Sequence, residues 1–230
     1  MATHLDLEEQ EQLDQLKAFW KQYGNLVTWL LIAVLAAYAA WNGWNWYQRD
    51  QAVKAGAMYD ELDAAAQAGD ADRASRVFAD LKNRYPGTAF AQQGGLLAAK
   101  ALVDKGQADN ARAALAWVAD NAVETEYRTV ARLRLAGLLL DAKQYDEALK
   151  QLDGATSKEF AGLVADRRGD ILLAQGKKDE ARAAFRQAWD ALDPNIDYRR
   201  LVEAKLNVLG VDPTAAPGAP ATAAASGASK

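Results

Sequence analysis

A chain of 230 residues has room for one ordinary domain together with a membrane anchor and a tail. Hydrophobic residues make up 50%, much of it alanine, and there are only five prolines, which is a helical composition. Lys and Arg (27) are interspersed with Asp and Glu (31), giving a formal charge of −4 and no basic block, which argues against electrostatic capture of nucleic acid. Without cysteine there is no disulfide framework, thiolate nucleophile or cysteine metal site. The single histidine, His4, lies in a polar N-terminal tail and is read as inert.

That tail, residues 1–21, is acidic through Asp6, Glu8, Glu9, Glu11 and Asp14. Beyond it, no residue between Lys21 and Arg49 is ionisable near neutral pH, and LVTWLLIAVLAAYAA (26–40) is almost wholly apolar. A helix over 22–48 rises about 1.5 Å per residue, enough to cross a hydrocarbon core of roughly 30 Å with some tilt. Aromatics mark both ends: Phe19, Trp20 and Tyr23 before the run, and Trp41, Trp44, Trp46 and Tyr47 after it. Ala37-Tyr38-Ala39 has the small-x-small form of a cleavage site, but a long acidic leader is wrong for a signal peptide, so the segment is expected to stay. Lys17 and Lys21 nearly balance Arg49 and Lys54, and the α-amino group tips the count toward a cytoplasmic N-terminus.

From residue 51 to 209 one pattern recurs: a small or basic turn residue, four variable positions, an alanine, then an apolar residue four further on. It reads Gly69-DADR-Ala74 with Phe78, Gly106-QADN-Ala111 with Leu115, Lys143-QYDE-Ala148 with Leu152, and Gly176-KKDE-Ala181 with Phe185. The alanines are 37, 37 and 33 residues apart, a spacing that predicts a solenoid of helical hairpins and brackets the tetratricopeptide repeat length. Glycine ends the first helix in the left-handed conformation, and alanine lets the second approach it closely. First helices are expected over 53–67, 90–104, 127–141 and 160–175, within repeats at about 53–86, 90–120, 127–153 and 160–193. Thr156 with Glu159 reads as a capping box before the last first helix.

Pro86 and Pro194 fall where second helices should stop, and a helix over 198–209 caps the stack. Three departures stand out: lysine at the third turn, Arg168 where an apolar residue is usual, and Gly94-Gly95 inside a first helix. That glycine pair is expected to permit close packing, since no strand precedes it and no phosphate-loop lysine follows. Residues 210–230 are low in complexity and are expected to be disordered.

The acidic tail, LKAFWKQYGN leading into one hydrophobic helix, the aromatic exit WNGWNWYQ, and the repeats LRLAGLLLDAKQYDEAL and VADRRGDILLAQGKKDEARAAF together resemble the YfgM-type ancillary subunit of the SecYEG translocon. The resemblance runs from about Gln12 to Leu209. It implies a Gram-negative inner-membrane protein with a periplasmic tetratricopeptide-like domain. It further implies association with the Sec translocon and with a membrane-anchored, peptidyl-prolyl-isomerase-like periplasmic chaperone, to which emerging, unfolded polypeptides are passed.

The repeats predict an all-α fold whose first helices form a concave face. Consensus positions put Tyr59, Asp63, Leu96, Lys100, Leu133, Leu140, Asp170 and Leu173 near it, a mixed apolar and charged set suited to unfolded segments or a partner's helix. For each leucine the alternative is a place in the core. An enzyme is not expected, because the domain has no histidine or cysteine, no nucleophile motif and no metal-ligand cluster. No cofactor is expected either. The pairs Asp146-Glu147 and Asp179-Glu180 are explained by negative charge at helix starts. An envelope assembly scaffold, for division or outer-membrane biogenesis, is the alternative function on the same fold.

Overall fold

The structure, a computed structural model, describes residues 7–214, with side chains from residue 11 onward. His4, Asp6, the side chains of Glu8 and Glu9, and the part of the low-complexity tail after Thr214 lie outside the described residues. Two compact units divide at Val53 and Lys54.

The first unit is the greater part of α1 (Leu7–Gln67), which holds the one stretch among the described residues long and apolar enough to cross a membrane. Leu26, Trp29, Leu30 and Leu35 are 62–65% exposed, so this is not the buried core helix of a water-soluble domain. In water such a face would be costly at about 25 cal/mol per Å²; in lipid it is at home. The hydroxyl of Thr28 donates to the carbonyl of Gly24 at 2.7 Å and so needs no outside partner at that depth. Phe19 and Tyr23 lie against each other at one end of the run, and Trp44 and Tyr47 at the other. The structure differs from the sequence reading in having no break after residue 48: Gln48–Val53 contains neither glycine nor proline, and α1 runs through it.

The second unit is built from helix pairs. The end of α1 precedes α2 (Ala71–Arg84), α3 (Ala89–Asp104) pairs with α4 (Ala108–Asn121), and α5 (Thr125–Asp141) with α6 (Tyr145–Asp153). After a single 3-10 turn (Lys158–Phe160), α7 (Ala161–Ala174) pairs with α8 (Lys178–Ala191), and α9 (Tyr198–Val208) packs on α8. The four pattern alanines Ala74, Ala111, Ala148 and Ala181 are all 0% exposed, and Phe78, Leu115, Leu152 and Phe185 beside them are buried. Each of those larger side chains contributes about 1.5–3 kcal/mol on burial.

Every hairpin turn closes in the same way. At the second, the amide of Gly106 donates to the carbonyl of Val103 and that of Gln107 to Leu102, which satisfies two carbonyls at the end of α3. The pair recurs at Gly69 and Asp70, at Lys143 and Gln144, and at Gly176 and Lys177. The motif needs a left-handed residue, and Lys143 adopts it at φ 62°, the only non-glycine among the described residues with positive φ. Pro86 and Pro194 follow the ends of α2 and α8.

Gly94 and Gly95 are buried in α3. A β-carbon on Gly95 would lie 2.3 Å from Val118 Cγ2 and 2.9 Å from the Phe78 ring, so the bare backbone is what lets three helices meet there. The expected capping box is not formed by Thr156. Instead the hydroxyl of Ser157 hydrogen-bonds Glu159 at 2.5 Å, a 3-10 turn intervenes, and α7 begins at Ala161, one residue after the expected start at 160. The same bond holds the Glu159 carboxyl below its usual range.

Candidate functional site: the face of the first helices

Within the second unit, α3, α5 and α7 pack side by side and leave a cavity of about 320 Å³. Its floor is apolar: Val103, Leu115 and Leu138, with the bare backbone of Gly137 between them. Its rim carries Lys100, Arg134, Arg167 and Asp141. The Lys100 ammonium donates to Asp104 at 2.7 Å, an exposed pair on one helix worth only about 0.3–0.5 kcal/mol. Arg134 donates from its guanidinium to the carbonyl of Leu96 at 3.2 Å, a contact across helices that fixes the head of its side chain at the cavity.

The eight residues nominated from sequence do not form one constellation. Lys100 alone lines the cavity. Leu96 is buried within the main core, and Leu133 and Leu140 are half-buried against it. Leu173 is 36% exposed near the end of α7. Tyr59 packs on the Phe90 ring at 5.7 Å, and its phenol is raised from its ordinary value by burial, with the charge of Asp63 adding to the effect. Asp63 accepts a hydrogen bond from Gln67 on its own helix.

Asp170 belongs to a different structure, a charged lock between α7 and α9. The ammonium of Lys205 lies 2.8 and 2.9 Å from the two oxygens of Asp166 and 2.7 Å from Asp170, over the face of the Phe185 ring. The Tyr198 hydroxyl donates to Asp166 at 2.6 Å. Asp166 is 2% exposed, so its charge is tolerated only because Lys205 and Tyr198 answer it. Burial raises the carboxyl of Asp170, with Lys205 pulling the other way, and burial beside Asp166 raises the Tyr198 phenol well above its ordinary 10.0.

Sequence reasoning missed Arg134, Gly137 and Arg167, although the repeat period carries the signal. Arg134 and Arg167 are 33 residues apart, one position after Leu133 and Asp166, so they form a single column of the stack. The lock was missed because Lys205 lies outside the repeats, 39 residues from Asp166.

Hairpins closed by left-handed turns, an alanine seam, a capping helix and a membrane-competent leading helix define the class: an anchored helical-repeat protein of the scaffold kind. The family model for a tetratricopeptide repeat-like domain matches residues 17–211. An ancillary SecYEG translocon subunit of Neisseria gonorrhoeae is 32% identical over 210 residues, covering 91% of this chain and 100% of that protein. The Escherichia coli protein of the same name is 31% identical, covering 88% of this chain and 97% of its own length. The chain belongs to the family of ancillary SecYEG translocon subunits, with its tetratricopeptide repeat-like domain. Among solved structures, the MamA RS-1 ArsTM double mutant shares the fold at a TM-score of 0.50 and 18% identity, covering 68% of this chain and 83% of its own.

Proposed function

We propose that the chain is a non-enzymatic scaffold of the bacterial inner membrane, held at the Sec translocon, whose periplasmic repeat domain links emerging polypeptides to a membrane-anchored, peptidyl-prolyl-isomerase-like chaperone. The observation that carries it is similarity to ancillary SecYEG translocon subunits over 88–91% of this chain. The exposed apolar run of α1 supports a single-pass anchor, and the α-amino group, which tips the near balance of Lys17 and Lys21 against Arg49 and Lys54, supports a cytoplasmic N-terminus. The face of α3, α5 and α7 is the proposed binding surface, with Lys100, Leu133, Leu140 and Leu173 on it and Tyr59 and Asp63 extending it into the first hairpin. Leu96 and Asp170 support this face from the core and from the α9 lock.

The test is co-purification of the tagged full chain from mildly solubilised membranes. Recovery of the translocon together with a periplasmic isomerase-like chaperone is expected. Recovery of division or outer-membrane assembly machinery in place of the translocon would move the scaffold elsewhere in the envelope.

A further inference from the structure

We propose that the cavity between α3, α5 and α7 is a docking site for an acidic, apolar segment of another polypeptide: one large apolar side chain on its floor, with flanking carboxylates held by Arg134 and Arg167. This rests on the scaffold reading above and specifies the chemistry of the partner.

The argument is one of charge and shape. The chain as a whole carries −4, yet this cavity gathers Lys100, Arg134 and Arg167 against one lining carboxylate, Asp141, and with Lys100 answered by Asp104 the two guanidinium groups remain. Arg73 is answered by Glu61 at 2.8 Å, Arg132 by Asp120 at 3.6 Å and Arg168 by Asp153 at 2.8 Å, whereas Arg76, Arg84, Arg128 and Arg199 lack an acid partner among the described residues but do not line this cavity. Arg134 and Arg167 form no ion pair among the described residues within 4.0 Å. Arg167 acts on Asp170 only at longer range, and Arg134 is engaged by a neutral carbonyl. Two forked donors of this kind, set by one repeat period over a hydrophobic floor, match carboxylates spaced along a peptide.

The floor has no side chain at its centre. A β-carbon on Gly137 would meet only Arg167, at 3.6 and 3.8 Å, which is ordinary contact. Unlike Gly95, Gly137 is therefore not required by core packing, and the group nearest the bare backbone is the guanidinium of Arg167, which places that cation beside the apolar lining. Val103, on the same floor, is 42% exposed, which leaves apolar surface for an incoming group to cover.

The experiment uses the full chain in zwitterionic nanodiscs and three labelled peptides with one leucine pattern, flanked by Glu, Gln or Lys. Fluorescence anisotropy is expected to rank them Glu, Gln, Lys, with about tenfold between the first two. Replacing both guanidinium groups (Arg134→Gln with Arg167→Gln) should abolish the ranking. Gly137→Leu fills the floor beside the Arg167 guanidinium and should weaken the Glu and the uncharged Gln peptide alike, about tenfold, with the thermal midpoint maintained. Equal affinities for the three peptides, a ranking that survives the double substitution, or a Glu peptide indifferent to Gly137→Leu would each overturn the proposal. So would a concentration-dependent dimer lost in both variants, which would give the face to a second copy of this chain. A wild-type chain that recovers the translocon but fails the peptide series refutes the pocket alone. One that passes the series and recovers no translocon supports the pocket and refutes the scaffold reading.

Discussion

Single residues decide how closely the helices approach and how they turn. At Lys143 a β-carbon is forced into the left-handed region that glycine occupies at the other three hairpin turns. That costs about 1–2 kcal/mol, partly offset by the lower unfolded-state entropy of lysine. Lys143→Gly is therefore expected to stabilise the protein by about 0.5–1 kcal/mol, read as a rise of a few degrees in thermal midpoint; a fall would mean that the lysine side chain supports the turn. Gly95 is the opposite case. Gly95→Ala places a methyl group 2.3 Å from Val118 and should cost about 1–3 kcal/mol in denaturant unfolding, although alanine is the better helix former. An unchanged midpoint would contradict the packing role. The turn glycines and the alanine seam were legible from the sequence because each recurs at a fixed offset. The lysine turn was legible as a departure, but its backbone conformation was not.

At the scale of elements, α9 is held by charge as well as by Val202 and Leu206, both 0% exposed. Lys205→Met keeps the stem on Phe185 and removes the cation that bridges Asp166 and Asp170, at a cost of about 3 kcal/mol. The loss should depend on pH. The Asp170 carboxyl is already raised above its ordinary 3.8 by burial, and Lys205 is the largest influence holding it down. Without that cation the folded-state value rises further. A group raised in this way supports the fold below its unfolded pKa and loses that support as pH climbs through the folded value. The deficit of Lys205→Met should thus be smaller near pH 4 than near pH 7, and a deficit independent of pH would remove Asp170 from the lock. The cap helix itself was legible from its apolar period and from the need to close a stack. Its chemistry was not, because an ion pair spanning 39 residues leaves no local pattern.

The leading helix yields its own expectation at this scale. With α1 uncharged from residue 22 to 48 and exposed along its apolar face, the full chain should resist alkaline extraction from membranes. Protease added to spheroplasts should digest the repeat domain and spare Lys17 and Lys21. Protection of the domain would reverse the proposed orientation.

For the whole molecule, the family and the repeat architecture were readable from composition, period and the aromatic flanks of the anchor. The working face was readable only in outline. First helices line the cavity proposed as that face, but helical rotation decides which of two adjacent columns faces outward, and a period of 33–37 residues does not fix that rotation. Leu96 and Asp166 turn inward, while Arg134 and Arg167, one residue past Leu133 and Asp166, reach the rim. The central claim is that this face, and not the anchor alone, brings the protein's partners together. Site-specific photo-crosslinking in intact cells tests it most directly, with probes at Val103 and Leu140 on the face and at Arg76 and Lys150 on exposed positions of second helices. The account predicts that chaperone and emerging chains are trapped at Val103 and Leu140 and not at Arg76 or Lys150. Equal trapping at all four positions would contradict it and leave the repeats as a spacer.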